Sequence, residues 1–116
     1  MGVSLKKIEK WEQKRKEKKL LSVLLNNGND EIRIHAIRAL ASFDSLDVIN
    51  SLVNLLRDRN PEIRLAAVET LGKIGSGKAV EFVKFMVEKE SDEKVKEAAK
   101  NALAAIKEKA KQEESA

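Results

Sequence analysis

The chain has 116 residues, of which 42% are hydrophobic and 36% are charged, a length that suits one domain with a real core. It contains no cysteine and a single histidine, His35, which excludes disulfide scaffolds, thiolate metal sites and multi-histidine metal sites, and we expect no cofactor. The apolar runs are too short to span a membrane, and the start lacks the apolar stretch of a signal peptide. We therefore predict a soluble, cytoplasmic protein.

The excess of positive charge lies in the first segment, residues 1–19. This segment has eight lysines and arginines against three glutamates, whereas residues 20–116 have fifteen basic and sixteen acidic residues. Leu5, Ile8 and Trp11 recur at helical spacing, so we predict a short helix that caps the open end of the fold. The alternative is a basic arm that binds nucleic acid or another polyanion, and its candidate residues are Lys6, Lys7, Lys10, Lys14, Arg15, Lys16, Lys18 and Lys19.

The rest of the chain repeats one pattern three times. Arg33, Arg64 and Lys96 mark equivalent positions, 31 and then 32 residues apart. Alanine stands three residues after each marker, and leucine stands seven residues after it. These offsets have the period of a helix with one apolar face. A second apolar helical run precedes each marker, so every copy predicts a helical hairpin.

The predicted second helices of the three hairpins cover residues 31–43, 61–74 and 92–110. Their expected N-caps are Asp30, Asn60 and Asp92. One hairpin cannot bury its apolar face alone, so we predict that repeats at about 20–44, 45–75 and 76–107 stack on each other. The repeat domain would then cover residues 20–110, followed by a tail at residues 111–116.

The central copy carries a family resemblance. Residues 60–72 resemble the second helix of a HEAT repeat, of the short kind found in phycobilin-lyase-like proteins, and residues 48–58 resemble its first helix. The resemblance covers about residues 20–106. It implies an all-α fold, a right-handed α-α solenoid of three hairpins, to which the predicted N-terminal capping helix is added. It also implies that Arg33 and Arg64 join a ladder of hydrogen bonds to aspartates of adjacent repeats.

In stacks that resemble this one, the second helices line a concave binding face. Taken over all three copies, including Glu97, Asn101 and Ala105 of the third, the outward offsets are mixed in charge and not basic, whereas a face that cradles DNA needs aligned cations. We predict a non-enzymatic protein-interaction module that binds one helix or extended segment of a protein partner. The predicted contact residues are Ile34, Arg38, Leu65, Glu69 and Lys73. Ile34 and Leu65 either form an exposed apolar pair or are covered by neighbouring side chains.

Two phenylalanines in the third copy admit two registers. If Val83 and Val87 occupy core positions, Phe82 and Phe85 point outward and form an apolar surface for self-association. If the helix is shifted by one residue, both rings enter the core. We favour the core, because aromatic side chains bury large areas.

The chain shows no nucleophile–base pair, no phosphate-binding glycine loop and no spaced carboxylate cluster. We therefore predict that the protein is not an enzyme. The alternative function is a nucleic-acid-associated protein that uses the basic N-terminal helix.

Overall fold

The computed structural model describes residues 2–115, and this part of the chain contains helices and no strand. The helices are α1 (Leu5–Gln13), α2 (Glu17–Asn26), α3 (Asp30–Ala39), α4 (Leu46–Leu55), α5 (Pro61–Ile74), α6 (Val80–Lys89) and α7 (Glu93–Ser115). Short 3₁₀ turns at Leu40–Ser42 and Gly77–Ala79 follow α3 and precede α6. The predicted all-α solenoid of helical hairpins is confirmed.

Among the described residues, every helix except α2 and α6 begins at a capping side chain. Asn60 accepts a hydrogen bond from the amide of Glu62, and Asp92 accepts one from Val95, as predicted. The predicted cap of α3 at Asp30 is wrong, because Asn29 takes that place and accepts from the amide of Ile32 at 3.2 Å. The carboxylate of Asp30 is directed instead to Arg33 and to the side-chain amide of Asn60.

The three hairpins form two layers around one core. The second helices α3, α5 and α7 pack side by side, and each first helix, α2, α4 or α6, packs mainly on the second helix of its own hairpin. Leucine, isoleucine and valine side chains from both layers fill the space between them. This arrangement places one face of α3, α5 and α7 toward solvent as a continuous surface.

Helix α1 packs across the first hairpin, in contact with α2 and α3. Its Ile8 is only 3% exposed, and Trp11 packs partly buried against the core. The helix therefore covers the open edge of the stack, as a cap does.

The helix bounds differ from the predicted segments at both ends. Helix α2 begins at Glu17, so residues 17–19 belong to the first hairpin and not to the N-terminal segment. Helix α7 continues to Ser115, through most of the predicted tail, and Lys109 ties it to α5 by donating to the carbonyl of Ile74 at 2.8 Å. Residues 1 and 116, which begin and end the predicted segments, lie outside the described residues.

Candidate functional site

The exposed face of the second helices contains a groove of about 880 Å³. Helix α3 contributes Arg38, and α5 contributes Leu65, Glu69, Gly72 and Lys73. The other wall is α7, with Glu93, Lys94, Glu97, Ala98, Asn101, Ala102 and Ala105. The structure thus brings four of the five predicted contact residues to one groove. Ile34, the fifth, does not line it.

Small residues make the floor of the groove where α5 meets α7. A Cβ atom added at Gly72 would lie 2.9 Å from both the Cα and the Cβ of Ala102, so the two helices meet there at the closest distance that glycine allows. On α7, Ala98 and Ala105 extend this floor by one helical turn on either side of Ala102. The absence of long side chains along this line leaves room for an occupant.

Leu65 and Ile34 do not form an exposed apolar pair. Leu65 is 9% exposed and belongs to the core, and Ile34 is half-buried and packs against that core. Of the two alternatives left open by the sequence, the structure shows the covered one. Their side chains stabilise the stack, and the groove offers only the edge of Leu65 to an occupant.

The charges of the groove are balanced. Three basic residues, Arg38, Lys73 and Lys94, stand with three acidic ones, Glu69, Glu93 and Glu97. Arg38 Nη1 lies 3.1 Å from Glu69 Oε1, and these side chains are 44% and 38% exposed, so water screens the pair and an occupant can compete for either charge. A surface without a cation excess does not favour phosphates.

The wall formed by α7 is the part that the predicted residue set omitted. Glu97, Asn101 and Ala105 stand at the same outward offsets as the predicted residues of α3 and α5. That periodicity was the available signal, and the third copy weakened it because lysine replaces the marker arginine.

The predicted arginine ladder is confirmed for the first hairpin. Arg33 Nη1 donates to Asp30 at 3.0 Å, Nη2 lies 3.5 Å from Asp58 in the next hairpin, and Nε donates to the carbonyl of Leu24 at 3.2 Å. Hydrogen bonds from Asn60 and Arg33 hold the pKa of Asp30 below its usual value. These side chains link adjacent hairpins, so we assign them to stability.

In the second hairpin, the carboxylate partner is a glutamate. Arg64 Nε and Nη2 donate to Glu90 Oε1 and Oε2, both at 2.9 Å, and Nη1 donates to the carbonyl of Asp58 at 2.8 Å. Burial raises the pKa of Glu90, but hydrogen bonds from Arg64 and from the amide of Asp92 outweigh it, so the pKa lies below the usual value. The same contact raises the pKa of Arg64.

The eight basic residues of the predicted polyanion site, from Lys6 to Lys19, are all exposed. Two of them also make contacts within the chain. Arg15 donates to Ser42 Oγ at 3.0 Å and to the Ser42 carbonyl at 3.2 Å, and its guanidinium lies 4.0 Å from the centre of the Phe43 ring. Lys19 Nζ lies 5.6 Å from the centre of the Trp11 ring. Arg15 therefore helps to hold the α1–α2 turn against the first hairpin.

The prediction that Phe82 and Phe85 enter the core is wrong. Their side chains are 54% and 60% exposed, because Val83 and Met86 occupy the core-facing positions of α6. The rings stand at the edge of a cleft of about 430 Å³ between α4 and α6. Val53, Leu56 and Met86 line this cleft and are themselves buried.

Residues 2–115 contain neither a metal-binding cluster nor a membrane-spanning helix. No group of three or more His, Asp or Glu side chains is arranged to hold a metal ion there. In the same span, every helix is too short or too polar to cross a lipid bilayer. His35 lies exposed on α3.

A family model of HEAT repeats matches residues 17–104. The match begins at the first residue of α2 and ends within α7, so it includes all three hairpins and leaves out α1. No curated protein matches the chain.

Proposed function

Because the chain belongs to the HEAT-repeat family, we propose that it is a non-catalytic module that holds a protein partner in the groove of α3, α5 and α7. HEAT repeats generally serve as protein-interaction scaffolds. The observation that carries the proposal is the composition of the groove, which combines a floor of small residues with balanced charges on its walls.

The occupant that suits this groove is one helix or one extended segment. Gly72, Ala98 and Ala105 keep the floor low, so the backbone of a partner can approach it closely. Acidic side chains of the partner can then pair with Lys73 and Lys94, and basic side chains can pair with Glu93 and Glu97. Such a pattern selects a peptide with both charges and disfavours a uniformly charged polymer.

A pair of adjacent alanines on α7 provides the test. Ala105 lines the groove, and Ala104 is exposed but does not line it. Peptides that bind the full chain would be selected from a displayed random library and measured by isothermal titration against Ala105→Arg and Ala104→Arg. We expect Ala105→Arg to weaken binding by about tenfold or more, because arginine fills the groove, and Ala104→Arg to leave it nearly unchanged.

Equal effects of the two substitutions would contradict the proposal, since they would place the peptide outside the groove. A charge reversal gives an independent measurement. Lys73→Glu should weaken peptides that present a carboxylate to α5 and strengthen those that present an amine, because Lys73 lies on the wall of the groove. Circular dichroism of each variant verifies that the helices remain intact.

The alternative function, binding of a polyanion by the N-terminal helix, is supported by the exposure of its basic side chains. Truncation would remove the cap, so substitution is the better test. The variant would carry glutamine in place of Lys6, Lys7, Lys10 and Lys14. Fluorescence anisotropy would measure its binding to labelled single- and double-stranded oligonucleotides. Binding that persists at physiological salt in the parent and disappears in this variant would favour the nucleic-acid function over the groove.

A further inference from the structure

The outer layer of first helices carries an apolar surface that the proposed function does not use. We define it as the α6 patch: Phe82 and Phe85, with the adjoining cleft toward α4. Monomeric proteins seldom leave two neighbouring aromatic rings more than half exposed, and such patches mark interaction sites. The patch lies on first helices, whereas the groove of the proposed function lies on second helices.

The charges that flank the patch are arranged symmetrically. Glu81 stands four residues before Phe85 and Lys89 stands four residues after it, so all three share one face of α6. If a second α6 packs antiparallel on the first, with the two-fold axis at Phe85, Glu81 of each copy faces Lys89 of the other. One helix thus supplies both halves of two equivalent ion pairs.

This self-complementarity is what an interface between identical copies requires, because a two-fold interface pairs residue i with j and also j with i. We propose that the protein forms a two-fold homodimer through the α6 patch, with antiparallel α6 helices. The Phe85 rings then meet at the axis, and the apolar cleft between α4 and α6 receives aromatic side chains of the partner copy.

The contacts within one copy leave these charges available. Glu81 lies 3.8 Å from Lys84 on the same helix, and the side chain of Glu81 is 82% exposed, so this pair holds Glu81 only weakly. The other carboxylate at the cleft, Glu90, is engaged by Arg64 and does not compete for Lys89. Dimerisation through α6 leaves the groove of α3, α5 and α7 open, so the dimer is bivalent for the proposed partner.

Sedimentation equilibrium of the full chain over a wide range of concentrations tests the dimer. The second hairpin supplies the substitutions, since Ser51 and Asn54 stand where the third has Phe82 and Phe85. We expect the double variant Phe82→Ser, Phe85→Asn to raise the dimer Kd by about tenfold or more. Leu25→Ser is the matched control, because Leu25 is 79% exposed but lies on α2, outside the α6 patch. The dimer Kd of this variant should equal that of the parent.

Charge exchange tests the antiparallel arrangement. Glu81→Lys alone and Lys89→Glu alone each place like charges opposite each other at both ends of the interface, so each should weaken the dimer, and the double exchange should restore it. A parent chain that stays monomeric at the highest concentration, or a dimer that the phenylalanine substitutions leave intact, would overturn the proposal. Failure of the double exchange to restore the dimer would overturn it as well, since it would exclude the antiparallel pairing.

Discussion

Arg64 and Glu90 join the second and third hairpins by two parallel hydrogen bonds, each 2.9 Å long. The Glu90 side chain is 5% exposed and that of Arg64 is 18% exposed, so the pair is largely shielded from water. The same carboxylate accepts the amide of Asp92 at 3.0 Å, immediately before α7 begins. One side chain therefore fixes both the seam between hairpins and the start of the terminal helix.

Replacement of Glu90 by glutamine should destabilise the fold. The change leaves the largely buried Arg64 guanidinium without a countercharge, and we expect a loss of about 1–3 kcal/mol in the free energy of unfolding at neutral pH. Urea denaturation followed by circular dichroism measures it. Glu81→Gln is the control, because its side chain is 82% exposed and its loss should have little effect.

The stability lost in Glu90→Gln should depend on pH in a defined direction. The pKa of Glu90 is lowered in the folded protein from the usual glutamate value of 4.5, so the unfolded chain takes up a proton first as the pH falls. The stabilisation by this group is complete above 4.5 and disappears as the pH drops through the folded-state pKa. The difference between the parent and Glu90→Gln should therefore shrink in acid, and a difference that grew there would contradict the assignment.

The contact between Gly72 and Ala102 predicts that Gly72→Ala destabilises the protein. Alanine is the better helix former by about 1 kcal/mol. Its methyl group would lie 2.9 Å from Ala102 Cα, however, and moving the α7 backbone away costs about 1–3 kcal/mol. Gly77→Ala is the matched control, since the added Cβ meets nothing within 4 Å. Denaturant titration should show a loss for Gly72→Ala only, and a gain there would mean that α7 moves freely.

The repeat could be predicted from the sequence because each hairpin buries the same offsets from its marker. Arg64, Ala67 and Leu71 recur with helical spacing, and burial of that face fixes the helix whatever its neighbours are. The structure differs where local geometry, not burial, decides. Arg15 adopts a left-handed φ of 57° in the turn between the end of α1 at Gln13 and the start of α2 at Glu17. The surrounding run of lysines contains no residue pattern that predicts this turn.

The candidate site was harder to predict than the fold, for a similar reason. Phe82 is apolar, as core residues usually are, and only the packing of Val83 against its neighbours decides that Val83, and not Phe82, faces inward. The groove depends on how far apart α5 and α7 lie, which Gly72 and Ala102 set across a long sequence separation. Single-copy periodicity contains no information on that distance.

Arg15 should act as an anchor of the capping helix. Arg15→Lys keeps the charge but loses the paired hydrogen bonds to Ser42 and the stacking on Phe43, so we expect α1 to open more easily, by about 1 kcal/mol. Trp11 on α1 is the one tryptophan of the chain, and quenching of its fluorescence by acrylamide reports the opening. Arg57→Lys, in the turn between α4 and α5, is the control. Equal quenching in both variants would show that other contacts hold the turn.

The hydroxyl of Thr70 predicts a stabilising substitution. Thr70 is 1% exposed, and within residues 2–115 its Oγ1 has no hydrogen-bond partner, so the folded state bears the cost of removing this group from water. Thr70→Val keeps the branched shape without the hydroxyl, and we expect a gain of about 1 kcal/mol in the free energy of unfolding. Thr70→Ala copies Ala39 and Ala102 at the equivalent positions and removes a methyl group as well as the hydroxyl. Comparing it with Thr70→Val separates the effect of losing the hydroxyl from the effect of losing buried apolar volume. In urea denaturation, the valine variant should therefore have a higher free energy of unfolding than both the parent and the alanine variant. A less stable valine variant would show that Oγ1 makes a hydrogen bond that the folded helix needs.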